Sequence, residues 1–271
     1  MACIQTCTLR SASFTALLVF TLALVLAGCA GEAPEDSGGD AASAAEAPPT
    51  EPLGSSTIAG AVRYDGDLPR LQPLNMDADP ACAAKHTEPV FPETLDVDEQ
   101  AGLANVLVYV ADNLPPGPYP LAEPPVIDQV GCRYTPHVAG IMVGQELLVL
   151  NSDELLHNVH SLSEVNAPFN RAMPGAIKRA TFSFTDEEPA FRIKCDVHPW
   201  MSTYLAVFDH PYFAVTGTDG SFEIPGLPAG TYTIEAWHER LGTMRSGVTL
   251  LDGLTAMVDL TFAQPESPAA Q

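Results

Sequence analysis

The stretch KCDVHPWM, Lys194 to Met201, places a thiol, an imidazole and a thioether at positions 195, 198 and 201. In the FRIKC segment that leads into it, Phe191, Ile193 and Cys195 fall on one face of a strand while Arg192 and Lys194 fall on the other. The thiol is therefore directed inward, where a lone cysteine is ordinarily inert packing. His198 and Met201 change that reading, because a loop interrupted by Pro199 can fold both side chains back toward the sulfur. A soft thiolate, an imidazole and a thioether together suit copper. One more strong donor is needed, and GQELLVLNSDELLHNVHSL upstream supplies two candidates, His157 and His160. Three residues apart in an extended chain they point to opposite faces, so only one joins the sulfur easily. His157, at the loop exit, is taken as the ligand, and His160 as a packed or hydrogen-bonded histidine.

These segments, VLNSDELLHNVHS followed by KCDVHPWM, resemble the cupredoxins, the small blue copper proteins, over roughly Val126 to His210. The preceding PHVAGIMVGQELLVLN, Pro136 to Asn151, is similar to that family's glycine turn and core strand. The resemblance implies a Greek-key sandwich with one type 1 copper. His157 and His198 would be its imidazole ligands, Cys195 its thiolate and Met201 its weak axial ligand. It also implies that Asn158 pins the two ligand loops together near the sulfur. His198 would present an exposed edge, with Pro199 and Trp200 as an apolar rim for docking; core packing is the other role open to Trp200. The expected activity is single-electron transfer, as a carrier and not an enzyme, with a redox protein such as a c-type cytochrome or a dehydrogenase as partner. Copper delivery and a non-redox structural or binding module are the alternatives. The chain departs from the family in its length and in Asp196, a carboxylate inside the ligand loop that would tune the potential or admit water.

The compartment is read from the first residues. Arg10 precedes the apolar run Phe14 to Ala27, too short for a comfortable bilayer span and laid out like a secretory signal. LAGC, Leu26 to Cys29, resembles the lipobox of bacterial lipoproteins, which implies a signal peptide over 1–28 and lipidation of Cys29. Residues 29–56 are small, proline-rich and acidic, and read as a disordered tether; 265–271 reads as a disordered tail. The protein is thus expected to be exported and anchored, facing the periplasm or on the cell surface, and not spanning. A formal charge of -22 repels nucleic acid and anionic lipid. HExxH, GxSxG, GxxxxGK, GxGxxG and CxxCH patterns are absent, so the corresponding hydrolase, nucleotide and haem chemistries find no support.

The elements that would hold such a site are strands. Twenty-five prolines oppose long helices, short alternating segments such as FRIKC, SFEI, TYTIEAW and VDLTF recur, and Asp-Gly pairs at 65–66, 219–220 and 252–253 mark tight turns, so the fold class is all-β. TGTDGSFEIPGLPAGTYTIEAW resembles the carboxypeptidase-regulatory-like, transthyretin-type β-sandwich, and IAGAVRYDGDLPR with ANVLVYV looks like its opening strands. This implies a cupredoxin domain over 125–209 inserted into a split sandwich of 57–120 and 210–264; the alternative is a longer cupredoxin followed by a partial sandwich. Pairing of Ala59–Tyr64 with the C-terminal segments is the observation that would settle it. In an oxidising compartment Cys82 and Cys132 are expected to form a disulfide, contributing roughly 4 kcal/mol on the chain-entropy model. The competing reading makes CAAKH and CRYTPH a second metal site. Trp237, His238 and Glu239 read as a strand-end aromatic with polar neighbours, and His86, His137 and His210 as ordinary histidines.

Overall fold

The computed structural model describes residues 53–264. The signal peptide, Cys29, most of the tether and the 265–271 tail lie outside them. The chain opens with β1 (Ser56–Asp65), the one-turn helix α1 (Pro80–Ala83) and β2 (Leu107–Asp112). A middle run follows: β3 (Val126–Val130), β4 (Arg133–Thr135), β5 (Val138–Met142), β6 (Glu146–Asn151), β7 (His157–Ser161), β8 (Asn170–Met173), β9 (Arg179–Ser183), β10 (Glu188–Lys194) and β11 (Ser202–Phe208). The last run is β12 (Phe213–Val215), β13 (Ser221–Leu227), β14 (Gly230–His238), β15 (Gly242–Leu250), β16 (Thr255–Met257) and β17 (Leu260–Ala263). The molecule is all-β.

Four sheets make two sandwiches. Strands β3 to β11 pair among themselves as β5-β11-β10-β7-β8 and β4-β3-β6-β9. The strands on either side of that run make β13-β1-β16, with β17 also on β1, and β12-β2-β14-β15. Ala59 pairs with Glu223, and Val62 to Asp65 run parallel to Leu260 to Ala263. The N-terminal strand is therefore held from both sides by the C-terminal one-fifth of the chain. Alternation explains the layers: Ile58, Val62 and Tyr64 of β1 turn inward onto Phe222, Ile224 and Phe262, while Arg63 and Asp65 face water. In the middle sandwich Ile127, Leu147, Val149, Phe191, Ile193 and Leu205 form the equivalent layer. Gly144 turns β5 into β6 at φ +77°, a left-handed conformation that costs glycine nothing.

Two boundaries differ from the sequence reading. Gly54 N–H already donates to Gly226 O and Ser56 is buried, so contacts with the fold begin inside the stretch read as tether. Residues around 74–90 do not share the core of the outer sandwich as the 57–120 assignment implies. Met76 and Cys82 are buried in the middle sandwich's core, with Leu74, Ala83 and Val90 packed against it. The physical reason is the Cys82–Cys132 disulfide, which ties this excursion to the β3–β4 turn. The sandwiches abut through Leu107, Val138, Ala206 and Phe208, where Phe208 stacks on Phe213 at 4.7 Å and Tyr204 meets Trp237 at 5.2 Å.

Candidate metal centre

Cys195 follows β10, and His157 opens the neighbouring strand β7. The two strands pair through Ile193–Ser161 and Lys194–His160, which brings the start of one to the end of the other. Buried Tyr134 reinforces the junction, its hydroxyl donating to Asn158 O at 2.5 Å and approaching Lys194 O at 3.4 Å. The loop from Cys195 to Met201 closes on itself: Met201 N–H donates to His198 O and Cys195 N–H to Met201 O. His157, Cys195, His198 and Met201 are all buried. Nδ1 of His157 lies 3.0 Å from Nδ1 of His198, which lies 3.7 Å from Cys195 Sγ, and the three donor atoms fall within 4.8 Å of one another. Metal–nitrogen bonds of about 2.0 Å and a metal–sulfur bond of about 2.3 Å would separate donor pairs on one ion by roughly 3 to 4 Å, so these atoms fit a single metal. Met201 lies in the same core cluster as Cys195.

The far nitrogens explain why both Nδ1 atoms face inward. His157 Nε2 meets Asp153 Oδ2 at 3.0 Å, and His198 Nε2 meets Asp79 Oδ2 at 3.0 Å. A carboxylate on the remote nitrogen fixes ring orientation and raises ligand basicity. Buried Asp153 also accepts from the N–H groups of Gly131 and Cys132, at 2.7 and 2.6 Å, and pairs with Lys85 at 3.1 Å. Burial alone would raise its pKa, but the hydrogen bond from His157 and these other donors lower it to about 2. Burial opposes a charge on His157 too, yet Asp153 and Cys195 raise it to about 9. The Cys195 thiol, pushed up by burial, is brought down to about 7 by His157 and the N–H groups of Asn158, His198 and Val197. The pocket therefore favours a thiolate, the form that binds metal.

Asn158 links the ligand loops, its Oδ1 accepting the Asp196 N–H at 2.6 Å. Asp196 turns away from the donors: its carboxylate takes Lys194 Nζ at 2.8 Å, His160 Nδ1 at 2.9 Å and Asn170 Nδ2 at 2.8 Å. His160 is thus a hydrogen-bonded outer residue. The exposed edge expected of His198 is not there. His198 is 2% exposed, because the turn bearing Asp79 and Cys82 covers it, with Cys82 Sγ 3.5 Å from Nε2. Trp200 is half-buried, its ring centroid 5.1 Å from that of His198 and its Nε1–H donating to Cys132 O, so it belongs to this cover; Pro199 is exposed. Cys82 and Cys132 also approach His198, but their sulfurs are joined to each other. His86 binds Gly131 O and His137 pairs with Glu239, so neither supplies a second metal site. Asp79, Lys85, Asp153 and Tyr134 escaped the sequence reading. Only Asp153 carried a signal, as a carboxylate four residues before His157 in DELLH.

No protein-family model and no curated protein matches the chain. Among solved structures it is similar to an oxidised amicyanin variant, at 23% identity and TM-score 0.28 over 31% of this chain and 81% of that one. A reduced amicyanin variant gives the same figures. The copper-containing nitrite reductase from Thermus scotoductus SA-01 is similar at 21% identity and TM-score 0.30, over 37% of this chain and 25% of that one.

Proposed function

We propose that the protein is an extracytoplasmic electron carrier with one type 1 copper held by His157, His198 and Cys195, and more weakly by Met201. The convergence of two Nδ1 atoms and one buried thiolate, with both Nε2 atoms held by carboxylates, carries this reading. Copper bound there supplies a one-electron couple between Cu(I) and Cu(II). Two nitrogens and a sulfur with a long axial thioether suit both oxidation states. Paired strands β7 and β10 and the closed 195–201 loop hold the donors in place, which limits the rearrangement on electron transfer. Burial keeps water from the thiolate.

LAGC at the N-terminus supports attachment to a membrane through Cys29, with 29–56 as tether. We assign the outer sandwich, whose TGTDGSFEIPGLPAGTYTIEAW stretch is transthyretin-like, the role of spacer or binding module, and a redox protein the role of partner. Exposed Pro199, Val197 and Leu156 flank the ligand residues and form the apolar rim on this reading. Copper delivery is the rival function. Voltammetry of the copper-loaded protein separates them: a reversible one-electron wave, with copper retained against a chelator over many cycles, is expected of a carrier. Rapid loss of copper to the chelator would instead favour delivery.

A further inference from the structure

The two carboxylate oxygens of Asp79 do different things. Oδ1 accepts the N–H groups of Ala81 and Cys82, at 3.0 and 3.4 Å, and caps α1. Oδ2 has no part in that cap and reaches His198 Nε2 at 3.0 Å. The turn it starts is anchored at two further points: Cys82 within it is bonded to Cys132, and Lys85 just after it reaches Asp153, the carboxylate that holds His157. Trp200, donating to Cys132 O, closes the remaining side of the His198 ring. The carboxylate of Asp79 is one-third exposed, while His198 behind it is buried.

We propose that Asp79 is a positioning residue of this centre, holding His198 by Nε2 and keeping the Asp79–Ala84 turn shut over it, so that metal and thiol reagents reach Cys195 only when the turn lifts. The proposal rests on the copper reading for its metal, but the closure belongs to the chain alone. A carboxylate that only capped α1 would need Oδ1 and nothing more. Asp79→Ser separates the roles, because serine caps well yet is too short to reach His198. Asp79→Asn has one acceptor oxygen where the carboxylate has two, so it keeps the cap but turns its NH2 toward His198 Nε2–H and loses that contact as well.

Two rates are measured on the full chain with its disulfide intact. One is alkylation by iodoacetamide in the metal-free protein, followed on the peptide carrying Cys195. The other is loss of Cu(I) to bathocuproine disulfonate. Asp79→Ser is expected to speed copper loss roughly ten- to hundred-fold, the usual effect on metal affinity of removing such a partner, and to speed alkylation as well, both measured well below the variant's melting temperature. Asp79→Asn, which also keeps the cap and loses the acceptor, is expected to behave like Asp79→Ser. Wild-type rates in either variant would overturn the proposal. The wild type gives a check without substitution: reducing Cys82–Cys132 with a phosphine should also speed Cys195 labelling, and unchanged labelling would contradict closure by the turn. Failure to take up copper contradicts the function proposed above, whereas unchanged Cys195 labelling contradicts this one.

Discussion

At the scale of single residues, Asp153 ties the site together, because four donors from three parts of the chain converge on it. Removing one partner from a buried charge pair leaves the other uncompensated, which costs about 3–5 kcal/mol. Asp153→Ala is therefore expected to lower stability by about that amount, and Asp153→Asn to lower metal affinity roughly ten- to hundred-fold by loosening His157. Thermal melts and titration against a competing chelator check both, and an unchanged affinity in Asp153→Asn would show that His157 needs no such support. The gathering of His157, Cys195 and His198 was legible because strand alternation fixes where Cys195 points and opposite faces separate His157 from His160. Asp79 was not legible: it lies 119 positions from His198, and nothing in a single sequence ties a surface aspartate to a histidine that far away. Asp196 could be placed only once Lys194, His160 and Asn170 were seen around its carboxylate.

At the scale of elements, the β10 edge is set by Glu188. Its buried carboxylate accepts from Ser163 Oγ at 2.6 Å and from the N–H groups of Glu164, Val165 and Asn166, at 2.6, 3.1 and 3.2 Å, so it organises the loop after β7. Burial would raise its pKa, but the bonds from Asn166, Ser163, Glu164 and Val165 bring it down from 4.5 to about 2. Because the folded value is the lower one, its contribution is complete above pH 4.5 and is lost as pH falls toward 2. The stability difference between wild type and Glu188→Gln, measured by denaturant titration, should accordingly be widest above pH 4.5 and shrink toward pH 2; a difference independent of pH would contradict this role. Alternation in FRIKC and SFEI made such strands readable. The excursion around α1 was not readable, since one helical turn has no period to detect and its partners are β3–β4 and the ligand loop. Its link to Cys132 was anticipated from cysteine chemistry, but the disulfide's position over His198 was not. The β3–β4 turn adds a local reason for that position: Gly131 and Cys132 both take positive φ, +61° and +52°, and Asp153 binds both of their N–H groups.

At the scale of the whole molecule, one sandwich is threaded into another, and β1 cannot complete its sheet until β13, β16 and β17 have been made. Turn and strand signals at both ends of the chain made this split visible in the sequence. The joint was not visible, because Tyr109, Tyr204, Phe208 and Trp237 read individually as ordinary strand aromatics and only the packed sandwiches bring them together. His137, which read as having no role of its own, pairs there with Glu239. Such a body holds the cluster of His157, Cys195 and His198 on a fixed scaffold, under a turn tied down by the Cys82–Cys132 disulfide. The direct test is the visible spectrum of the intact chain loaded with Cu(II), with the metal content determined on the same sample. One copper per chain and an intense thiolate-to-copper absorption, abolished in Cys195→Ser, are the predicted result; failure to bind copper, or the same spectrum in Cys195→Ser, would contradict it.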